Sequence, residues 1–249
     1  MHRKHHIVIT RQISSEDQQL AERLKLTIHV KPAIETRPRL DWSDVETILI
    51  NPDYPIFAFT SRNAVRALNS YPKGGQTLLN GKRVYAVGSK TAAELRKLGC
   101  DPLLPDQCDG SGLAKKITEE LLGCSHSRIP GVLHLCGNMR RNEFRDYLEG
   151  SGIDVRDLVV YRTILLPMNF DTIPKDALLF YSPSAIESFR KSGGFTHPSH
   201  QHSELFAIGH TTAEELSIET GRHVHVSPQT DSKELLRFTA EILISQKNE

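Results

Sequence analysis

Short apolar runs alternate along the chain with longer stretches in which apolar residues recur every three or four positions. The apolar runs predict strands at residues 6–10, 27–34, 56–60, 84–87, 132–135, 157–165, 177–181, 206–208 and 224–226. The longer stretches predict a helix that starts after Ser14 or Ser15, and further helices at residues 42–50, 62–70, 91–98, 112–122, 142–149, 211–220 and 232–245. Ser111 is expected to cap the helix at residues 112–122. Strands that alternate with helices are typical of a parallel sheet, so the pattern predicts an α/β fold.

Polar stretches between these elements predict loops. Residues 71–75 contain proline and two glycines, which favours a loop that breaks the preceding helix. Residues 193–202 contain His197, His200 and His202, but their proline and serines favour a mobile, solvated loop over a metal site. The histidines near the amino terminus are likewise expected in a flexible end; these are His2, His5 and His6.

Parts of the chain match other parts at one fixed offset. Residues 59–65 (FTSRNAV) resemble residues 180–186 (FYSPSAI), and residues 85–95 resemble residues 206–216. Matched positions are 121 residues apart: Ser61 with Ser182, Gly88 with Gly209, and Thr91 with Thr212. A weaker similarity relates residues 7–36 to residues 132–163. The sequence therefore predicts a duplicated α/β unit.

Small residues follow several of the predicted strands. In an open parallel sheet, ligands bind outside the carboxyl ends of the strands. Glycine allows the backbone to approach a ligand closely, and the next helix presents unpaired N–H groups with a partial positive charge. These turns predict a site for a polyanionic ligand, and their small residues are Ser61, Gly88, Ser89, Gly137, Asn138, Ser182 and Gly209.

The balance of charged residues limits which kinds of ligand or partner the protein can bind. Lys and Arg number 31 against 30 Asp and Glu, which gives no basic excess for nucleic acid or a membrane surface. Any anionic ligand must therefore be held by local positive groups. No apolar run approaches the ~18 residues of a membrane span, and residues 1–10 lack the features of a signal peptide. We expect a cytoplasmic protein.

Common catalytic and cofactor motifs are absent from the sequence. It contains no G-x-S-x-G elbow, no P-loop and no H-E-x-x-H pair, and the GSG at residues 110–112 is too short for a dinucleotide fingerprint. The four cysteines form no C-x-x-C pair, so we expect small thiols rather than a metal or redox site; they are Cys100, Cys108, Cys124 and Cys136.

Two further features allow more than one interpretation from the residues alone. Arg140 and Arg141 follow a predicted strand, where they could bind carboxylates or simply form a solvated first turn of a helix. Tyr161 lies late in a strand, where a structural tyrosine that covers the edge of the core is the default interpretation.

Taken together and in order, several segments resemble the uroporphyrinogen-III synthase family. They are residues 56–68 (IFAFTSRNAVRAL), 84–99 (VYAVGSKTAAELRKLG), 132–163 (with CGN and VYRT), 179–189 (LFYSPSAIESF) and 206–216 (FAIGHTTAEEL). Each motif alone is weak, but the set is specific and covers nearly the whole chain.

The resemblance implies a particular domain organisation. Members of that family have two three-layer α/β domains with parallel, flavodoxin-like sheets, joined by a two-stranded linker. One domain would hold residues 1–35 and 167–249, the other residues 37–165, and the active site would lie in the cleft between them. The repeat alone would instead have suggested two contiguous halves.

The resemblance also implies a reaction. The family is a group of cyclising hydro-lyases of haem biosynthesis, which convert hydroxymethylbilane to uroporphyrinogen III with inversion of ring D and loss of water. The generally proposed route passes through an azafulvenium cation and a spiro intermediate. The bilane also cyclises unaided to the uninverted I isomer, so the enzyme must mainly hold it in one geometry. No cofactor or metal is expected, and transient contact with hydroxymethylbilane synthase is conceivable.

Site residues follow from the same resemblance. Tyr161 matches the tyrosine proposed to assist departure of the hydroxyl group as a general acid. Hydroxyl groups that would contact the substrate belong to Ser61, Ser89, Thr91, Ser182, Thr211 and Thr212. Backbone groups that could hold carboxylates belong to Gly88, Gly137, Asn138 and Gly209. The chain departs from the family at Arg62 and Asn63, where other members often carry proline and then a variable residue after the serine, and at His210, where they often carry proline.

Two alternatives remain at this stage. One is a non-catalytic two-domain α/β module that binds an anionic small molecule such as a phosphate or a sugar derivative. The other is a flavodoxin-like electron carrier that binds FMN. Neither explains the VYRT segment at residues 160–163.

Overall fold

The computed structural model describes residues 4–123 and 129–245 and divides into two compact units. One unit comprises Met1–Glu35 and Ile164–Glu249, and the other comprises Thr36–Thr163. The first unit is therefore discontinuous in sequence, and the second is inserted into it.

Strands and helices alternate through both units. The strands are β1 (His5–Ile9), β2 (Leu26–Val30), β3 (Ile34–Pro38), β4 (Ile56–Phe59), β5 (Arg83–Ala86), β6 (Val132–Gly137), β7 (Val155–Leu165), β8 (Ala177–Phe180), β9 (Glu204–Ala207) and β10 (His225–Val226). The helices are α1 (Ser15–Arg23), α2 (Glu46–Leu49), α3 (Arg62–Ala67), α4 (Gly75–Leu79), α5 (Ser89–Lys97), α6 (Gly110–Leu122), α7 (Glu143–Gly150), α8 (Pro183–Lys191), α9 (His210–Thr220) and α10 (Ser232–Ser245). No helix in the described part of the chain is long and apolar enough to cross a membrane.

Each unit contains one five-stranded sheet. The strand order is β10-β9-β8-β1-β2 in the first and β3-β7-β6-β4-β5 in the second. Every pair of the first sheet is parallel, and so are the β7–β6, β6–β4 and β4–β5 pairs of the second. The predicted α/β class with parallel sheets is confirmed.

Strand order reverses at one point in each sheet. In the first sheet, the chain proceeds from β1 outward to β2, and later from β8 outward through β9 to β10. In the second, it proceeds from β4 to β5, and later from β6 to β7. The switch points therefore lie between β1 and β8 and between β4 and β6. Such points open the crevice in which α/β sheets bind ligands.

Both faces of each sheet are covered, so each unit has three layers. In the second unit, Phe57 and Phe59 contribute to one apolar cluster and Ile56 and Ala58 to the other, because alternate strand residues face opposite sides. In the first unit, Ile7 likewise belongs to one apolar cluster and its neighbour Val8 to the other. Burial on both faces explains why these strands are continuous apolar runs.

Serines cap several helices, as predicted for Ser14 at the first one. Ser14 accepts a hydrogen bond from the backbone N–H of Asp17, and Ser61 and Ser182 cap α3 and α8 in the same way. The prediction for α6 was wrong: Asp109, not Ser111, is the N-cap, and its carboxylate accepts from the Gly112 N–H at 2.8 Å. A carboxylate is favoured there because it also meets the positive end of the helix dipole.

Some predicted elements were wrong in extent. Residues 27–34 do not form one strand: β2 ends at Val30, and Ile34 begins β3 in the other sheet. Pro32 lies between them and lacks the N–H needed to continue a ladder. The helix predicted at residues 42–50 is reduced to α2, and the loop at residues 71–75 leads into α4.

The predicted mobile loop at residues 193–202 was also wrong. His200 is only 2% exposed, and its Nδ1 lies 2.8 Å from the Gly194 carbonyl oxygen. Its ring packs against Phe170, with the ring centroids 4.7 Å apart. The loop is anchored because aromatic side chains around it exclude water and a carbonyl satisfies the imidazole. Similarly, His5 and His6 form the start of β1 rather than a flexible end.

Candidate functional site

The turns at the switch point of the second unit bring together three predicted site residues. Ser61 follows β4, Gly137 ends β6, and Tyr161 is the residue of β7 paired with Gly137. The register shifts between Cys136 and Gly137. A Cβ atom added at Gly137 would lie 2.4 Å from Cζ of Tyr161 and 2.7 Å from its hydroxyl oxygen. Gly137 is therefore needed for the phenol to lie across the end of β6.

The Tyr161 phenol is well shielded from water. The residue is 9% exposed, and its burial raises the pKa of the hydroxyl, while the nearby Ser61 side chain partly offsets the shift. A phenol with a raised pKa stays protonated at neutral pH, so it can donate a hydrogen bond or a proton but cannot act as a base.

Asn138 uses its side chain within the protein. Its Oδ1 accepts from the Thr163 N–H at 2.7 Å, and its Nδ2 donates to the Thr163 carbonyl at 3.3 Å. The amide thus extends the pairing of β6 with β7 beyond the end of the strand. The side chain of Asn138 therefore shapes the turn.

Two glycine turns have the same local geometry in the two units. Gly88 precedes α5 with φ −178° and ψ 176°, and Gly209 precedes α9 with φ −177° and ψ 172°. Thr91 and Thr212 each donate their N–H to the carbonyl of the preceding glycine at 3.1 Å. The repeat detected in the sequence is therefore a repeat of backbone conformation.

The predicted hydroxyl groups in these turns differ in exposure. Thr91 and Thr212 are each 4% exposed, whereas Ser89 and Thr211 are exposed. Ser182 is partly buried, and its hydroxyl accepts from the Ala185 N–H at 3.3 Å. The exposed pair can meet a ligand directly, while the buried pair lies within the first turns of α5 and α9.

Sequence reasoning missed a buried polar cluster behind the turn that follows β6. The side chain of His134 is 2% exposed and that of Asp157 is 6% exposed, with 2.8 Å between Nδ1 and Oδ1. The other carboxylate oxygen of Asp157 accepts from Arg140 at 2.7 Å and from Arg145 at 2.8 Å. A histidine and an aspartate inside predicted strands were the signal that could have revealed it.

Electrostatic interactions keep Asp157 ionised in this cluster. Burial alone would raise the pKa of Asp157, but hydrogen bonds from His134, Arg140 and Arg145 hold it well below its usual range. Burial, with a smaller effect of the Asp157 charge, raises the pKa of the Cys136 thiol to about 12. Asp157 is therefore an anion and Cys136 a neutral thiol at pH 7.

The cluster does not fit a metal ion, although the potential ligand atoms of His134, Cys136 and Asp157 lie within 4.8 Å of one another. A thiol with so high a pKa is a poor ligand, since metals bind the thiolate. Both Asp157 oxygens are already hydrogen-bonded, and two guanidinium groups would repel a cation. The prediction that the cysteines are small thiols also included Cys124, which lies outside the described residues.

The first unit carries a second feature that the sequence analysis did not single out. Arg11 follows β1 and Tyr181 follows β8, at the other switch point, and the guanidinium carbon lies 4.3 Å from the centroid of the tyrosine ring. Arg11 also lies 3.6 Å from Asp17 of α1. A cation is thus present at both switch points of this nearly neutral chain.

These features define a class of protein. It has two α/β units with parallel sheets, and the carboxyl ends of the strands in each unit carry turns of small residues together with cationic side chains. The family model described as "Uroporphyrinogen-III synthase HemD" matches residues 15–237. The chain belongs to this family, whose members are cyclising lyases of tetrapyrrole biosynthesis.

Individual relatives agree with this assignment. The uroporphyrinogen-III synthase of Saccharomyces cerevisiae is 28% identical over 198 residues, which are 71% of this chain and 72% of the yeast protein. Uroporphyrinogen III synthase structures from Thermus thermophilus (a mutant) and Helicobacter pylori share the fold, with TM-scores of 0.69 and 0.66 at 16% and 17% identity. The aligned region covers 97% and 96% of this chain, and 99% of each of those chains.

Proposed function

We propose that this protein cyclises hydroxymethylbilane to uroporphyrinogen III, with inversion of ring D and release of water. Family membership supports the activity. The observation that carries the site assignment is the placement of the protonated Tyr161 phenol across Gly137 at a switch point, beside Ser61. Ligands of parallel α/β folds bind at such points.

Holding the substrate is the main task that we assign to the turns. The bilane carries eight carboxylates and closes unaided to the I isomer, so the enzyme must favour one geometry of ring D over another. In the second unit, the turns after β4, β5 and β6, counted through the second residue of the helix that follows each, contain one acid, Glu143. Their cations are Arg62, Lys90, Arg140 and Arg141. This local excess of positive charge suits a polycarboxylate in a chain whose net charge is only +1.

Tyr161 assists the bond-breaking step in this proposal. As the C–O bond of the terminal hydroxymethyl group breaks, the phenol donates its proton to the departing hydroxyl, and water is released. Ring closure later removes a proton from a pyrrole carbon, which restores the phenol. Overall, hydroxymethylbilane yields uroporphyrinogen III and water, with no net proton change. General acids of this kind typically contribute about 10²–10⁴-fold to a rate.

The remaining turn residues are proposed to bind carboxylates through hydroxyl groups or backbone N–H groups. They are Ser61, Gly88, Ser89, Thr91, Gly137, Asn138, Ser182, Gly209, Thr211 and Thr212. We further propose a cytoplasmic protein that receives its unstable substrate in transient contact with hydroxymethylbilane synthase, because direct transfer would limit unaided closure to the I isomer.

A coupled assay tests the activity. Porphobilinogen is supplied with hydroxymethylbilane synthase, the products are oxidised to porphyrins, and the I and III isomers are separated by chromatography. We expect predominantly III isomer when this protein is present and I isomer when it is omitted. Only I isomer in both samples would refute the enzyme assignment and favour the non-catalytic binding module.

A further inference from the structure

The turn after β6 contains two adjacent arginines, Arg140 and Arg141, which the sequence alone did not distinguish. The structure does distinguish them. Arg140 donates from Nη2 to the Asp157 carboxylate at 2.7 Å, and its side chain is only 29% exposed. Both residues are exposed overall, but Arg141 has no comparable acidic partner among residues 4–123 and 129–245. Of these two arginines, only Arg140 is therefore held in a defined orientation by a buried anion.

Arg145 binds the same carboxylate, but it also binds a second acidic side chain. Its Nη1 donates to Asp157 and its Nε donates to Glu149, each at 2.8 Å, so two edges of its guanidinium are occupied. In the described part of the chain, Arg140 has Asp157 as its one acidic partner. The remaining edges of the Arg140 guanidinium can therefore form the paired hydrogen bonds that a carboxylate accepts.

Asp157 is itself held in place by a hydrogen bond from His134. Since an ionised carboxylate can only accept, His134 donates from Nδ1 to Asp157, while its Nε2 lies 2.9 Å from the Thr60 hydroxyl oxygen. The imidazole also packs on Phe144, with ring centroids 4.6 Å apart. Thr60 directly precedes Ser61, so this chain of contacts links the turn after β4 to the middle of β6 and the first half of β7.

We propose that Asp157, oriented by His134, is a positioning residue that holds Arg140 to bind a carboxylate of the tetrapyrrole at the β4–β6 switch point. This assignment rests on the proposed function. Arginine has many rotamers, and ordering it during folding means that less freedom is lost on binding. Arg140 belongs to the turn that begins after Gly137 with Asn138, where ligand contacts are already proposed.

Asp157→Asn is the central variant, because the amide keeps the size of the side chain but removes its charge and one acceptor. We expect the KM for hydroxymethylbilane to rise about 10-fold, which is equivalent to roughly 1.4 kcal/mol of binding, with kcat within about twofold of wild type. Arg140→Ala should raise KM to a similar extent, and Arg140→Lys to a smaller one, because lysine keeps the charge without the planar fork.

A double variant separates positioning from general damage. If Asp157 acts through Arg140, Asp157→Asn should raise KM no further when Arg140 is already alanine. The matched control is Glu120→Gln, which removes another carboxylate of the same unit. Glu120 pairs with Arg83 and accepts from the Tyr85 hydroxyl at 2.7 Å, at the amino end of β5. This control should lower the melting temperature without changing KM.

Equilibrium binding of uroporphyrin III, measured by isothermal titration, makes the test independent of turnover. Weaker binding by about 10-fold in Asp157→Asn and Arg140→Ala, with no added effect in the double variant, supports the proposal. Unchanged KM and affinity in Asp157→Asn, additive effects in the double variant, or absence of porphyrin binding by the wild type would each overturn it. A wild type that binds uroporphyrin III but forms only I isomer would instead refute the proposed function.

Discussion

Gly137→Ala is the substitution whose consequence the structure specifies most directly. The added Cβ would lie 2.4 Å from Cζ, 2.6 Å from Cε2 and 2.7 Å from the hydroxyl oxygen of Tyr161. Real Cβ atoms do not approach other heavy atoms so closely. The obstacle is a rigid ring that is 9% exposed, so the phenol or the end of β6 must move.

The magnitude follows from the cost of overpacking a well-packed site. Extra methyl groups in such sites typically destabilise a protein by about 1–3 kcal/mol. For a protein of this size the melting temperature should fall by roughly 2–4 °C for each kcal/mol. Because the phenol is displaced from the switch point, we also expect kcat for the III isomer to fall by about 10-fold, which is less than the about 10²–10⁴-fold typical of a general acid because the bilane also cyclises unaided.

Thermal unfolding and the isomer assay measure the two effects separately. Gly150→Ala is the matched control, since nothing lies within 4 Å of the added Cβ and the residue is in a helix of the same unit. It should leave the melting temperature unchanged or raise it slightly, because alanine is the better helix former. In a Tyr161→Ala background, Gly137→Ala should destabilise much less than in the wild type. A Gly137→Ala protein with wild-type melting temperature and kcat would refute this reasoning, as would an equal loss of stability in both backgrounds.

Three further predictions concern separate features. Tyr161→Phe should lower kcat several-fold at an unchanged melting temperature, as measured by III-isomer formation and thermal unfolding; wild-type kcat would remove the acid role. Burial lowers the pKa of His200 below the ordinary histidine value of about 6.5, so its neutral form stabilises the fold above that pH and the contribution is lost as pH falls below it. We therefore expect a smaller fall in melting temperature between pH 7.5 and 5.5 for His200→Gln than for wild type, and equal slopes would contradict this. Asp109→Ala should destabilise by about 1 kcal/mol in urea unfolding and Ser111→Ala by much less; the reverse order would show that the α6 cap is misassigned.

Local features of the sequence determined the elements of this protein. Continuous apolar runs such as residues 56–59 predicted strands, Ser14 predicted the start of the first helix, and Ser61 and Ser182 predicted a pair of matched turns. The spacing of 121 residues between those serines predicted the duplication. These features can be predicted from the sequence because helix caps, hydrophobic periodicity and β-propensity depend on residues within a few positions of one another.

Long-range pairing was decided only by the tertiary structure. β1 pairs with β8, where Ile7 is the partner of Ala177, although local pattern would pair either strand with any other apolar run. Pro32 divides what looks like one strand between two sheets, and His200 is buried only because distant aromatic rings surround it. The Asp157 cluster likewise joins residues 74 and 23 positions apart through His134. Such contacts depend on which strands become neighbours, and that is set by burial summed over the whole sheet rather than by any local segment.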